Sequence, residues 1–169
     1  MALRLFPKHL GVWEGTYTRI APEGHIIDKW KSRLTVRMLD AKTYHQVNEY
    51  FWEDGHTELH DFGLAPFNEN DQLIFDNPRI LGKAWETENS VVLTWSYKDR
   101  PGSNLYEIID LIGEEQKHRI RVWKWSYNDE FEGLTMIEER KTSEVADIPD
   151  SFWADLQARR YIGESRSNR

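Results

Sequence analysis

Apolar and polar residues alternate along most of this chain with a period of two, the spacing that sends successive side chains to opposite faces of a β-strand. Residues 91–97 read Val-Val-Leu-Thr-Trp-Ser-Tyr and residues 119–125 read Arg-Ile-Arg-Val-Trp-Lys-Trp. Runs of this kind, or runs rich in β-branched and aromatic residues, predict strands near 11–20, 25–38, 43–52, 56–64, 73–76, 79–86, 91–98, 104–112, 118–126 and 131–140. Turn signals separate them, among them Ala21-Pro22-Glu23-Gly24, Glu53-Asp54-Gly55, Asp99-Arg100-Pro101-Gly102 and Tyr127-Asn128-Asp129. Short strands joined by hairpins form a meander. A meander of ten strands removes its unpaired edges by rolling into an up-and-down barrel. The expected fold is therefore all-β, a roughly ten-stranded antiparallel barrel over about 9–140.

Only the tail reads as helix, over about 150–162. Pro149-Asp150-Ser151 starts it, Trp153, Leu156 and Tyr161 share a stripe, and Gly163 follows. Arg159 and Arg160 fall in the last turn, where the helix dipole favours cations. This helix should pack on the outside of the barrel or over one end, and the final Ser-Arg-Ser-Asn-Arg should fray. No repeat or linker is seen, and a single domain of 1–169 is expected.

Strand faces suggest what the barrel holds. Trp30, Ser32, Leu34, Val36 and Met38 alternate with Lys31, Arg33, Thr35 and Arg37, so the first set faces in. Leu93, Trp95 and Tyr97 face in by the same reasoning. Over 44–52 one face carries Tyr44, Gln46, Asn48, Tyr50 and Trp52, the other His45, Val47, Glu49 and Phe51, and hydrophobicity does not choose between them. Arg119, Arg121, Trp123 and Trp125 share one face. A plain core has no need of arginines in phase with tryptophans, whereas a cavity for a flat, partly polar molecule does. Inward Gln46 and Asn48 would need hydrogen-bond partners. An inward arginine would need a carboxylate, with Glu107 or Glu138 as candidates. A closed internal network without a guest is the alternative. The ligand-binding candidates are Trp30, Gln46, Asn48, Trp95, Tyr97, Arg119, Trp123 and Trp125.

Composition narrows the classes. The chain has 169 residues, eight tryptophans and an aromatic share of 13%. Its formal net charge of −7 argues against a broad nucleic-acid footprint, although Lys117, Arg119, Arg121 and Lys124 cluster locally and leave an RNA-binding sheet as a minor alternative. Cysteine is absent, so disulfides, thiolate catalysis and cysteine-ligated zinc are excluded. The apolar start is too short for a signal peptide and no segment is long enough for a membrane helix, so a cytoplasmic protein without membrane partners is expected. Whether it forms a homodimer is left open.

Chemical motifs are sparse. His56-Thr57-Glu58-Leu59-His60 has the spacing of a zinc-binding helix, but it lies between a hairpin turn and Asp61-Phe62-Gly63 and reads as a strand. Histidines four apart on a strand stand roughly 13 Å from each other, too far to share a zinc, so no metal site is expected. Phosphate-binding glycine loops and Gly-x-Ser-x-Gly are absent, and no cofactor is expected. Acid–base work would fall to tyrosine, glutamate or histidine side chains within the lumen.

Gly11-Val12-Trp13-Glu14-Gly15-Thr16-Tyr17 resembles the Gly-x-Trp signature of calycins, the lipocalin and fatty-acid-binding-protein superfamily. In that fold the tryptophan closes one barrel end and the glycine permits a sharp turn. Taken with Trp52-Glu53-Asp54-Gly55, Leu93-Thr94-Trp95-Ser96-Tyr97-Lys98-Asp99, Leu105-Tyr106-Glu107 and Arg121-Val122-Trp123-Lys124-Trp125, the chain resembles a lipocalin-like bacterial and cyanobacterial family of the DUF3598 type over roughly 9–140. It is also similar to a cyanobacterial branch of secondary-metabolite biosynthesis, the cyclase of the scytonemin pathway. That likeness implies a substrate class and reaction type only, a cofactor-independent cyclisation with decarboxylation of an indole-bearing β-keto acid. On that reading the lumenal residues would do the work, Arg121 with Asn48 or Gln46 stabilising enolate charge and Tyr50, Tyr106 or Glu107 handling protons, so the catalytic candidates are Arg121, Glu107 and Tyr50. The competing expectation is a carrier that binds an aromatic molecule or pigment unchanged. Haem-binding nitrobindin-like barrels share the opening pattern but need a late histidine, and none follows His118.

Overall fold

The structure is a computed structural model that describes residues 3–160, with side chains through 156. Its ten strands are β1 (Gly11–Ile20), β2 (Ile26–Asp40), β3 (Thr43–Phe51), β4 (Thr57–Pro66), β5 (Leu73–Asp76), β6 (Ile80–Glu86), β7 (Val91–Tyr97), β8 (Ser103–Ile112), β9 (His118–Tyr127) and β10 (Glu130–Ser143). One sheet holds them in the order β4-β3-β2-β1-β10-β9-β8-β7-β6-β5, every pair antiparallel. The pairing of β1 with β10 rolls the meander into a nearly closed barrel, as the strand pattern predicts.

The seam runs between β4 and β5. A single bridge joins Phe67 to Leu73 there, and the Asn77 side-chain amide donates to the Phe62 carbonyl at 3.2 Å. β5 is only four residues long, which keeps the unpaired edge short.

The two ends of the barrel differ. A 3-10 turn over Phe6–His9 plugs one of them. Glu86 holds this plug, accepting the backbone N–H of Leu5 at 2.6 Å and of Phe6 at 2.7 Å. The Phe6 ring stands edge-on to Phe67 at 4.9 Å, within a cluster that includes Val36, Tyr44, Leu73, Ala84 and Val91. Gly11 follows with φ of 110°, a conformation that favours glycine and lets the chain swing from the plug into β1. Trp13 is fully buried beneath the plug, donating its indole N–H to the His9 carbonyl at 2.9 Å. At the opposite end Trp30, Trp52, Trp95, Tyr97 and Trp125 are only partly buried.

The C-terminal helix, α1 (Asp150–Arg160), lies on the outer wall. Its Trp153 stacks under the Arg37 guanidinium at 3.5 Å and beside the His45 ring at 5.2 Å. Leu156 is buried with it, while Tyr161 and Gly163, expected to complete the helix, lie outside the described residues, as does the final Ser-Arg-Ser-Asn-Arg. Among the described residues no helix is long and apolar enough to cross a membrane.

Candidate ligand-binding site

Alternation on β8, β9 and β10 sends Glu107, Arg119, Arg121 and Glu139 to the middle of the lumen, each no more than 3% exposed. Arg119 sits directly opposite Glu139 in the β9–β10 register, and its Nε donates to that carboxylate. Arg121 donates from Nε to Glu107 at 2.6 Å and from Nη1 to Glu139 at 3.2 Å and to the Tyr17 hydroxyl at 3.0 Å. Two cations and two anions therefore cancel. Burial alone would raise the Glu139 carboxyl, but Arg119 and Arg121 outweigh it and hold the carboxyl below its usual range. Burial likewise opposes the charge on Arg121, and Glu107, Tyr17 and Glu139 more than restore it. Glu107 is one of the two expected partners. Glu138 is not the other, because it projects from the outer face with half its side chain exposed, and Glu139 takes its place.

The face of β3 left undecided by hydrophobicity is settled by a chain of hydrogen bonds. Tyr44 donates to Gln46 at 2.6 Å, Gln46 to Asn48 at 2.8 Å, and Asn48 to the Tyr50 hydroxyl at 2.8 Å. These side chains line the lumen as a ladder that satisfies its own amides. Burial pushes the Tyr50 hydroxyl up to about 12 and raises that of Tyr17 as well, so neither is a ready base near neutrality. Tyr106, expected as a proton-handling candidate, is 41% exposed on the outer wall, because β8 turns its odd residues inward.

Beyond this polar middle, aromatic rings line the end opposite the plug. Trp30 stacks on Tyr17 at 5.3 Å and on Trp52 at 5.4 Å, both at 22°. Tyr97 and Trp125 lie nearly parallel, 6.2 Å apart at 5°, while Trp95 leans on Tyr97 at 5.4 Å and meets Phe62 across the seam at 5.9 Å. The indole N–H groups divide into two sets. Trp52 donates to Asp28 at 3.1 Å and Trp125 to Thr135 at 3.1 Å. The N–H groups of Trp30, Trp95 and Trp123 are buried with no hydrogen-bond partner among the described residues. A buried donor left unmade costs about 1–3 kcal/mol, and three of them belong to inward-facing tryptophans of one barrel. The interstice among Trp95, Tyr97, Ser103, Leu105 and Trp125 is too tight for a water molecule.

The sequence-derived candidates thus fall into three layers: Arg119, Arg121 and Glu107 in the charged middle, Gln46, Asn48 and Tyr50 in the ladder, and Trp30, Trp95, Tyr97 and Trp125 toward the end opposite the plug, with Trp123 buried opposite Glu107 between them and the middle. Tyr17 and Glu139 were missed: Tyr17 is in phase with Trp13 on β1, whereas Glu139 stands one residue out of phase with Glu138, which was named in its place. Also missed were Trp52, His60 and Phe62, whose strand phase already placed them on one face. His60 and His56 both bond the Glu58 carboxylate, at 2.7 Å and 3.1 Å, and Arg79 donates to the other ring nitrogen of His60 at 2.7 Å. β4 is a strand here, as its context predicts, and among the described residues no group of three or more histidine and acidic side chains is placed to hold a metal ion.

Residues 3–144 match the family described as "Domain of unknown function (DUF3598), N-terminal". The chain belongs to the DUF3598 family. A DUF3598 protein of unknown function from Nostoc punctiforme superposes with a TM-score of 0.63 at 18% identity, over 84% of this chain and 51% of its own. This chain therefore spans about half the length of that DUF3598 relative. Rv2717c from M. tuberculosis superposes with a TM-score of 0.54 at 14% identity, over 81% of this chain and 94% of its own. At such identities the likeness concerns the fold alone. No curated protein matches the chain significantly.

Proposed function

We propose that this DUF3598 barrel binds a small, flat aromatic molecule at its unplugged end. The observation that carries the reading is the set of three buried, unpartnered indole N–H groups, on Trp30, Trp95 and Trp123, inside a wall of partly exposed rings. Ring faces offer stacking worth about 0.5–1.5 kcal/mol per contact beyond area burial. The free donors suit a guest that carries carbonyl or other acceptor atoms at its edge. The middle of the barrel offers a guest little, because the ladder and the ion pairs satisfy one another.

A titration of tryptophan fluorescence with 2-naphthamide, a flat probe with one carbonyl acceptor, tests this. Saturable quenching is expected, weakened at least tenfold in Trp95→Ala and Trp125→Ala. Absence of quenching, or quenching that both variants retain in full, would overturn the reading.

A second reading is catalytic: decarboxylative cyclisation of an indole-bearing β-keto acid without a cofactor. One observation favours it, the Tyr17 hydroxyl held by the Arg121 guanidinium at 3.0 Å beneath the stacked Trp30 ring. A phenol polarised in this way can donate to a developing enolate oxygen. In this reading Arg121 acts through Tyr17, and Glu107 and Tyr50 carry protons. Incubation with an indolic β-keto acid separates the two: mass loss equal to carbon dioxide supports catalysis, and recovery of unchanged substrate supports binding.

A further inference from the structure

Two more guanidiniums stand at the aromatic end, and their surroundings differ from those of Arg119 and Arg121. Arg19 comes from the inner face of β1, with its guanidinium 6.0 Å from the centre of the Trp125 ring. Arg79, just before β6, has its guanidinium 5.5 Å from the centre of the Tyr97 ring. Because Trp125 and Tyr97 are themselves stacked, the order along the rim is cation, ring, ring, cation.

Neither cation meets a carboxylate within ion-pair distance among the described residues. The Nε of Arg19 is buried without a hydrogen-bond partner among the described residues, and Nη1 of Arg79 spends its bond on a neutral acceptor, Nδ1 of His60. Of the nearby acids, Asp99 lies close enough to act on the Tyr97 hydroxyl, and others are engaged elsewhere. Asp28, opposite Arg19 in the β1–β2 register, accepts from Trp52. Glu58 is held by His56 and His60, Asp76 by Lys98, and Glu132 by Arg100. A chain with a net charge of −7 has acids to spare, and it has supplied one for each arginine in the middle of the barrel. It has not done so for Arg19.

We propose that the guest is a flat aromatic carboxylate, with its ring against the Trp125–Tyr97 pair and its carboxylate on Arg19, while Arg79 adds positive potential from the far flank. This inference rests on the binding reading above and names the chemistry of the guest. It also moves the anion anchor from Arg119 and Arg121, each of which already pairs with one of the protein's own carboxylates, to an arginine whose Nε has no partner among the described residues. A guanidinium beside a partly dry ring surface is suited to this task, since charge-assisted hydrogen bonds are stronger there than in open water.

Two isosteric probes, 2-naphthoate and 2-naphthamide, test the assignment by tryptophan quenching. The wild-type protein is expected to bind the carboxylate about tenfold more tightly than the amide, with a preference that shrinks as salt is raised. Arg19→Gln should abolish that preference by weakening naphthoate alone, Arg19→Lys should recover part of it, and Arg79→Gln should reduce it less. Far-UV circular dichroism checks that each variant is folded, and the wild-type salt dependence stands even if one is not. Equal affinities in the wild type, or equal loss of both probes in Arg19→Gln, would overturn the anion site while leaving aromatic binding intact. Failure of both probes to quench the wild type would instead remove the binding reading itself.

Discussion

Tyr17 accepts a hydrogen bond from Nη1 of Arg121 at 3.0 Å, which ties the aromatic end of the barrel to its charged middle. Truncating that arginine has a large structural consequence. Arg121→Ala strands Glu107 in a dry interior and leaves Glu139 with one cation, and breaking a buried pair in this way costs about 3–5 kcal/mol. Replacing Arg121 by Met together with Glu107 by Leu removes one cation and one anion, and should cost less than Arg121→Ala alone. Urea unfolding of the two proteins measures the difference. Equal stability of wild type and Arg121→Ala would contradict the closed network. Loss of activity in Arg121→Ala is therefore not by itself evidence of catalysis.

Acid should weaken the fold well before the carboxylates titrate. Burial first, and the Arg119, Arg121, Lys141 and Lys8 charges after it, push His9 down from 6.5 to about 2. The unfolded chain takes up a proton at His9 near pH 6.5, whereas the folded chain refuses it until about pH 2. Stability from this group is complete above the unfolded value and is lost as pH falls, with a slope near 1.4 kcal/mol per pH unit. Glu139, also depressed, adds the same sign at lower pH. Urea midpoints measured between about pH 5 and 7 should rise with pH, and His9→Gln should flatten that rise.

Ser32 is a test of the interior's polar accounting. Its hydroxyl is buried and has no hydrogen-bond partner among the described residues, at 4% exposure of the residue. Removing an unsatisfied group forfeits no bond, so Ser32→Ala should be neutral or stabilising by about 1 kcal/mol. A clear drop in the thermal midpoint would show that the hydroxyl is engaged.

At Gly15 the backbone of β1 leaves no room for a side chain against β10. A Cβ there would sit 1.9 Å from the Glu138 carbonyl and 2.7 Å from the Cα of Glu139, both backbone atoms. Gly15→Ala must push the strands apart and displace the carboxylate that Arg119 and Arg121 share. A loss of about 3 kcal/mol or more is expected in chemical denaturation, at the upper end of ordinary overpacking.

The strands were legible because period-2 alternation and regular turns coincide, and most of their observed boundaries fall within two residues of the expected ones. The inner face of β3 was not, and α1 explains why. By packing Trp153 against Arg37 and His45 it buries part of the outer wall, where Val47 is fully buried, so both faces of β3 look apolar in sequence. The pairing of Arg119 with Glu139 is a matter of register between strands, which alternation within one strand cannot reveal. Arg79 lies in a turn, where no periodicity speaks. The tryptophans themselves were readable; which of them keep an unmatched N–H depends on cross-barrel neighbours such as Asp28 and Thr135.

The ion-paired layer has one geometric consequence: it acts as a bulkhead. From Arg121 to the end of β9 at Tyr127 the strand covers at most about 20 Å, and strand tilt shortens the usable depth. The interstice among Trp95, Tyr97 and Trp125 is too tight for a water molecule, so on the binding reading a guest must part these rings to enter. An extended acyl tail would then strike guanidinium and carboxylate before it reached the plugged end, and selectivity should depend on a guest's breadth and edge chemistry rather than on its length.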